Sequence, residues 1–507
     1  MDTQRPPTKL VCPLTCRDVP SLRRAMHHAA GAGADAVELR LDFLDTPPTD
    51  EDLAALLAQP RIETIVTCRP TAEGGHFDGD EPRRLAILRK AAQLGADWID
   101  VEESVAPRLR PGGRVILSRH DFAGRPDDLT GLARRLDASD AAANKIAFAP
   151  AGPEDALAAL DVIRDARKPT IALAMGEPGL LSRVLARKLG ALGSFAALAT
   201  GAESAPGQPT LEEMLGLYRW RSLTPETAVF GVVACPVGHS MSPAIHNAAF
   251  DAAGLDAVYL PLLVQPGEEC FRRFLDAVLE RPYLHFRGLS ITIPHKENAL
   301  AYVPPDRCDG LARAIGAVNT ITIDPDGSVA GGNTDYAGAI DALCGGMGIA
   351  REALAGRAVA VLGAGGVARA LVAALCHYHA DVVVYNRTVA RAQQLAEEFA
   401  CRAAGLDALD ALDAEIVVNC TSVGMHPHVD ACPLPAVPAS ARVVFDTVYN
   451  PVETRLLRHA RQAGCTCVTG LDMFVNQAAA QFETWTHTPA PRNTMRNVVL
   501  KKLTESQ

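Results

Sequence analysis

The sequence predicts an α/β protein in two parts: a (β/α)8 TIM barrel over residues 1–224, then a two-lobed unit that carries a dinucleotide-binding domain. Three observations carry this reading. The chain has 507 residues, more than one hydrophobic core accommodates before a chain divides into domains. Its first half alternates short apolar runs with helix-spaced amphipathic stretches, the rhythm of a closed parallel barrel. Its second half holds a glycine loop, Gly363-Ala364-Gly365-Gly366-Val367-Ala368, directly between an apolar strand and a helix.

The barrel strands are read from eight runs, at 9–16, 36–44, 62–69, 97–102, 114–122, 144–149, 170–176 and 194–199. Helical stretches such as 53–57, 85–88 and 156–160 fill the gaps. Barrel active sites lie at the C-terminal mouth of the strands, so polar residues at those ends are read as chemistry before packing. They are Glu38 and Arg40 on the second run, Arg69 with Glu73 after the third, Asp100 and Glu102 on the fourth, His120 on the fifth and Lys145 on the sixth. Arg183 and Gln208 follow the last two. Lys145 is flanked by Ile146 and Phe148; burial disfavours the ammonium and leaves neutral amine able to attack a ketone. The other reading of the strand is a structural ion pair with Glu38 or Glu102.

Composition excludes several function classes. The 49 basic and 59 acidic residues give a net charge of −10, and no basic cluster is dense enough to track a phosphate backbone, so nucleic acid is not expected as a partner. No apolar run reaches membrane-spanning length, and the opening residues 1–7 have neither a signal core nor a transit helix, which predicts a cytoplasmic protein. Thirteen scattered cysteines suit reduced thiols used as small core residues. Cys12 and Cys16, Cys465 and Cys467, and His426 and His428 lack partners at zinc-ligand spacing, so no metal is expected.

The first half resembles type I 3-dehydroquinate dehydratase. The resemblance rests on Glu38-Leu39-Arg40-Leu41-Asp42, Thr67-Cys68-Arg69, Glu73-Gly74-Gly75, Ser118-Arg119-His120-Asp121-Phe122, Asn144-Lys145-Ile146-Ala147, Met175-Gly176, Leu181-Ser182-Arg183 and Ser204-Ala205-Pro206-Gly207-Gln208. It implies that Lys145 forms an imine with the substrate ketone. His120 would then take the acidified proton and return one to the departing hydroxyl, with Glu73 orienting and polarising His120. Arg183 would take the substrate carboxylate, and Glu38, Arg40, Arg69, Ser204 and Gln208 would recognise hydroxyl and carboxylate groups. Leu198 stands where the family can place a phenylalanine near the end of the eighth strand, which predicts looser closure over the substrate.

The second half begins near Thr224, with a new apolar strand at Val229. Glycines such as those at 363–366 let a backbone approach a pyrophosphate set on a helix N-terminus. About 20 residues on, where a ribose-binding acid normally stands, the chain reads Asn386-Arg387-Thr388, with Arg391 beyond. Those cations predict NADP(H) rather than NAD(H). Ser240 and Ser242 precede a helix and can hold a carboxylate with its first amides. Lys296 and Asp335 supply a tunable proton and a group to hold it.

With Gly316-Ala317-Val318-Asn319-Thr320, Gly332-Asn333-Thr334-Asp335, Asn419-Cys420-Thr421-Ser422-Val423-Gly424-Met425, Asp446-Thr447-Val448-Tyr449 and the run from Gly470 to Ala478, this half resembles shikimate dehydrogenase. The resemblance implies substrate contacts from Ser240, Ser242, Thr292, Asn319, Asp335, Tyr449 and Gln477, proton transfer by Lys296 and Asp335, and cofactor contacts that include Thr421 and Gly470. Ser290 replaces an asparagine common in single-domain members, which puts one substrate hydrogen bond in question. A substrate lobe over 229–338, completed by helices from 473–507, and a Rossmann-like NADP lobe over 339–472 are expected. In this order the resemblance implies two activities that act on small molecules in series, from 3-dehydroquinate to 3-dehydroshikimate to shikimate, and the fusion resembles the plant bifunctional enzyme. Two alternatives stay open: a catabolic quinate or shikimate dehydrogenase in the second half, or one half kept as a non-catalytic scaffold.

Overall fold

The structure, a computed structural model, describes residues 7–58, 62–105, 113–238 and 240–505. The opening residues 1–6, on which the compartment expectation partly rested, and His239 of the serine motif lie outside the described residues. The chain forms two compact units, 1–238 with 256–286 and 239–255 with 287–507.

All eight expected strands of the first unit are present: β1 (Lys9–Leu14), β2 (Ala36–Arg40), β3 (Glu63–Thr67), β4 (Trp98–Glu102), β5 (Val115–Asp121), β6 (Ala143–Phe148), β7 (Thr170–Ala174) and β8 (Gly193–Phe195). They form one parallel sheet in the order β7-β6-β5-β4-β3-β2-β1-β8. Leu192 N donates to Thr170 O at 3.0 Å across the remaining seam, which closes the barrel. Several strands end earlier than the apolar runs suggest. Leu41–Phe43, for example, is a 3-10 turn, because the chain bends outward at the mouth where its polar side chains are needed.

The two-residue period of a strand decides what enters the barrel. A floor of Val11, Ala36, Ile65, Trp98, Ile116, Ala143, Ile171 and Phe195 is buried in one apolar cluster. Two residues further along the same faces come Glu38, Thr67, Asp100, Ser118 and Lys145, and two further still Arg40, Arg69, Glu102 and His120. Ile146 and Phe148 point the other way, into the layer shared with the outer helices. The apolar neighbours of Lys145 in the sequence are therefore not its neighbours in space.

Beyond the barrel, β9 (Ala228–Ala234) and β10 (Ala257–Leu263) pair in parallel and belong to the same unit. Lys188 Nζ, buried, donates to Thr227 O at 3.0 Å. Helix Pro153–Asp165 is tied to helix Glu268–Leu279 and the residues after it by Glu154 with Arg273 at 2.6 Å and Asp161 with Arg281 at 2.8 Å. By such contacts residues 256–286 group with the barrel in one compact unit.

In the second unit, β11 (Phe286–Ile291), β12 (Thr320–Ile323) and β13 (Val329–Gly332) run antiparallel. β14 (Ala358–Leu362), β15 (Asp381–Asn386), β16 (Arg402–Gly405), β17 (Ile416–Asn419), β18 (Val443–Asp446) and β19 (Thr466–Thr469) form a parallel sheet in the order β16-β15-β14-β17-β18-β19. The order reverses between β14 and β17, the switch point at which doubly wound sheets bind ligands. Helix Thr334–Met347 packs along helix Gly470–Thr486. Gly338 makes this possible, since a Cβ there would sit 2.7 Å from Gln477 N. No helix among the described residues is long and apolar enough to cross a membrane.

Two candidate active sites

At the barrel mouth, Glu38, Arg40, Arg69, Glu73, His120, Lys145, Arg183, Ser204 and Gln208 all line one cavity of about 210 Å³. Lys145 Nζ lies 3.1 Å from Glu38 Oε1 and 3.0 Å from Asp100 Oδ2, and 4.5 Å from the centroid of the Phe195 ring. The sequence reading named Glu102 as the alternative partner; the register instead brings Asp100 to the amine. Glu102 is turned to Arg69, whose Nη1 is 2.6 Å away. Arg69 also donates to Asp100 at 2.7 Å and to Ser118 at 2.9 Å, so three wall residues fix this guanidinium at the edge of the cavity. Burial works against the Asp100 carboxylate, but the Arg69 and Lys145 charges outweigh it and hold its pKa well below the usual range.

His120 sits with Nδ1 3.6 Å from Glu73 Oε2, beyond hydrogen-bond reach, and both atoms are buried without a partner among the described residues. Burial, helped by the Arg69 and Lys145 charges, pushes the imidazole well below its ordinary pKa, so it is neutral and ready to accept a proton. Burial, with the Glu102 charge, raises Glu73 to about 7. Arg40 is held by both oxygens of Asp42, at 2.9 and 2.7 Å. Arg183 differs from the other cations. It is buried with Nε and Nη2 unpartnered, and burial lowers its pKa to about 10. A buried guanidinium with open donors facing a cavity is a seat for a carboxylate. Ser204 N donates to Gln208 Oε1 at 2.9 Å, which fixes the loop that carries both.

β8 ends on Phe195, whose ring belongs to the apolar floor and lies against the amine. Sequence reasoning placed Asp100 on its strand without assigning it a role, and it missed Phe195 and Asp42. The period-of-two face of each strand was the signal available for them.

In the second unit Lys296 Nζ is 2.5 Å from Asp335 Oδ2. Lys296 opens the helix Lys296–Tyr302, and Asp335 lies in the first turn of the helix Thr334–Met347. Val318 N donates to Lys296 O at 3.0 Å and Asn333 Oδ1 accepts from Asp335 N at 3.0 Å, so both ends are pinned. Asn319 is buried, with Oδ1 accepting from Thr334 N at 2.7 Å and Nδ2 donating to Thr334 Oγ1 at 3.1 Å; it anchors the Asp335 helix. Gln477 lies against Gly338, one turn after Asp335, and Tyr449 stacks on Phe474, ring centroids 4.9 Å apart. Ser240 Oγ accepts from Ser242 N at 3.3 Å, and Thr292 O accepts from His295 N at 2.8 Å in the turn before Lys296. The Ser290 hydroxyl donates to Gln481 Oε1 at 2.7 Å in a buried network.

The glycine loop fits a dinucleotide. Gly363 has φ +108, and a Cβ there would meet Cys420 O and Thr421 Cγ2 at 3.1 Å. Gly365 and Gly366 open onto free space at the start of the helix Gly366–His377, whose first backbone N–H groups have no intrahelical acceptor. Ala364 leads into this turn. Val367 is exposed, whereas Ala368 is buried in the core, so it offers a ligand its backbone only. Asn386 Nδ2 donates to Thr388 O at 2.9 Å and shapes the turn after β15. Arg387 and Arg391 there are exposed and have no ion-pair partner among the described residues. Thr421 is held by Asn419, and Gly470 packs on the carbonyls of Thr447 and Val448.

A barrel with a carboxylate-flanked amine and an open carboxylate seat, joined to a Rossmann sheet with a phosphate cradle and a lysine–aspartate pair, defines a two-enzyme chain, one half a lyase and the other a nicotinamide-dependent oxidoreductase. Family models agree. Type I 3-dehydroquinase matches residues 10–225, the shikimate dehydrogenase substrate binding domain 232–321, shikimate/quinate 5-dehydrogenase 349–431, and the shikimate 5'-dehydrogenase C-terminal domain 470–500. The chloroplastic bifunctional 3-dehydroquinate dehydratase/shikimate dehydrogenase of Arabidopsis thaliana is 39% identical over 99% of this chain and 85% of its own length. The NADP(+) shikimate dehydrogenase of Methanosarcina acetivorans is 42% identical, over 54% of this chain and 98% of its own. A solved shikimate 5-dehydrogenase from Thermus thermophilus, in complex with NADP(H) and shikimate, covers 54% of this chain and 99% of its own at 38% identity, with a TM-score of 0.47. The chain belongs to the family of bifunctional 3-dehydroquinate dehydratase/shikimate dehydrogenases.

Proposed function

We propose that the barrel converts 3-dehydroquinate to 3-dehydroshikimate through an imine on Lys145, and that the second unit reduces this product to shikimate with NADPH. The cavity shared by Lys145 and the open guanidinium of Arg183 supports this most: one seats a carboxylate while the other meets a ketone. The amine adds to the ketone and water leaves. The positive imine then acidifies the neighbouring C–H, and neutral His120 takes that proton. Returning it to the departing hydroxyl releases water, and hydrolysis of the imine frees Lys145. Glu73, anionic above about pH 7, steadies the imidazolium that His120 becomes.

In the second unit the fit of the glycine cradle supports the Gly363–Ala368 turn as the pyrophosphate seat, with Arg387, Thr388 and Arg391 around the 2'-phosphate. NADPH, when bound, supplies the reducing equivalent. Lys296 donates the proton to the ketone oxygen, and Asp335 holds and resupplies it. Ser240, Ser242, Thr292, Asn319, Tyr449 and Gln477 seat the substrate. The domain division is 1–224, 229–338 with 473–507, and 339–472. Neither metal nor nucleic acid takes part. All thirteen cysteines are free, which supports a reducing, cytoplasmic setting. Borohydride added with dehydroquinate should leave a reduced adduct on the peptide that carries Lys145, read by mass mapping. An unmodified peptide would overturn the imine.

A further inference from the structure

Arg84 lies on the helix Glu81–Gln93, outside the barrel, and lines none of the cavity. Its side chain is nevertheless only 1% exposed. Each of its three nitrogens has an acceptor. Nε and Nη2 reach Glu81, each at 2.8 Å, and Nη1 donates to Cys68 O at 2.7 Å. Nη2 also lies 2.8 Å from Glu102 Oε2. Glu102 passes the contact to Arg69 at 2.6 Å, Arg69 to Asp100 at 2.7 Å, and Asp100 to Lys145 at 3.0 Å. Charges alternate along the whole path, from Glu81, 33% exposed, to Lys145 and then Glu38.

We propose that Arg84 is a positioning residue for the dehydratase reaction: by neutralising Glu102 it leaves Arg69 free to hold Asp100, and so controls how tightly Asp100 is drawn onto Lys145. The proposal rests on the imine reading. Around the Lys145 amine stand Glu38 and Arg40 from β2, Arg69 and Glu73 from β3 and its following turn, Asp100 from β4, His120 from β5 and Arg183 beyond β7. Within this set Arg69 is the cation bound to both acidic residues of β4. If Arg84 is lost, Glu102 keeps one partner and draws Arg69 towards itself. Asp100 then turns its charge on Lys145, and imine formation, which needs the neutral amine, moves to higher pH. Loss of Glu81 acts in the opposite sense, because Arg84 then leans wholly on Glu102.

The test is the pH profile of borohydride trapping on the full chain, which reads imine formation and not the later Glu73-assisted step, for Arg84→Met, Arg84→Lys and Glu81→Gln. For Arg84→Met the acid limb of trapping should shift up by about one pH unit, a loss of roughly tenfold at the foot of the limb, with KM for dehydroquinate little changed. Arg84→Lys should recover part of the shift. Glu81→Gln, at a half-exposed site and safe for folding, should shift the limb down by a few tenths of a unit, as screened charges do. A pH-independent loss shared by both Arg84 variants, or shifts of the same sign for Arg84→Met and Glu81→Gln, would overturn the proposal. Should Arg84→Met fail to fold, an unshifted Glu81→Gln limb decides against it. Failure of the wild-type chain to trap any adduct would instead remove the imine reading itself.

Discussion

The two lysines make the same kind of ion pair in opposite settings. The Lys145 side chain is 8% exposed and lies between two carboxylates that are themselves buried; that of Lys296 is 32% exposed and has one carboxylate partner at 2.5 Å. A nucleophilic amine must shed its proton at the right moment and be held in one place, so its surroundings are dry and fully paired. A proton donor must be recharged every turnover, so it stays in reach of water. Solvent access, more than residue type, separates the two proposed roles.

The sharpest way to break this comparison is to remove each centre in turn. Lys145→Ala should abolish dehydration, by roughly 10⁴-fold or more as for other covalent nucleophiles, and leave NADPH-dependent reduction of dehydroshikimate intact. Asp335→Asn should do the reverse, lowering reduction by about 10² to 10⁴-fold. Separate spectrophotometric assays of the two steps check both, and a loss of both activities in either variant would show that the units do not work independently. A smaller contrast lies in anion recognition. Arg183→Leu removes charged hydrogen bonds made in a dry cavity, worth ~1.5–3 kcal/mol each, and should raise KM for dehydroquinate by about 10- to 100-fold. The exposed Arg387, changed to Ser, should raise KM for NADPH by a smaller factor, about tenfold, while KM for NADH stays unchanged. An equal effect on both cofactors would separate Arg387 from the 2'-phosphate and favour the quinate-type alternative.

The smallest effect concerns pH. Glu73 titrates near 7 in the folded protein: protonated below that value it is neutral, and above it the anion favours the imidazolium formed on His120. Dehydratase kcat should therefore rise by a few fold as pH passes upward through about 7, and Glu73→Gln should flatten that rise. His120 itself, held well below its ordinary pKa, remains a base through this window, so the step does not come from His120. A wild-type profile flat from pH 6 to 8 would remove Glu73 from the mechanism.

Much of this molecule was legible in its residues, and the reason is periodicity. Eight apolar runs became eight strands because a parallel strand buried on both faces needs such a run, and the glycine loop kept its place between strand and helix because no other residue type tolerates the backbone at Gly363. What a run of letters could not hold was which face each side chain takes across the barrel. Reading Lys145 beside Ile146 and Phe148 suggested an amine in grease; alternation sends those two outward and brings Glu38 and Asp100, 107 and 45 residues away, to the amine. Asn319, read as a ligand contact, also holds the start of the Asp335 helix through Thr334, a pairing that no local pattern shows.

The sequence alone determined the fold class and the two-enzyme order, and it named the acid, base and nucleophile proposed above, because those depend on local pattern and on chemistry that few residue types supply. Only the tertiary structure decided which carboxylate serves which cation. Charges from separate strands and an outer helix meet in a dry interior, where each must find a partner, and that pairing is set by register and packing across the barrel.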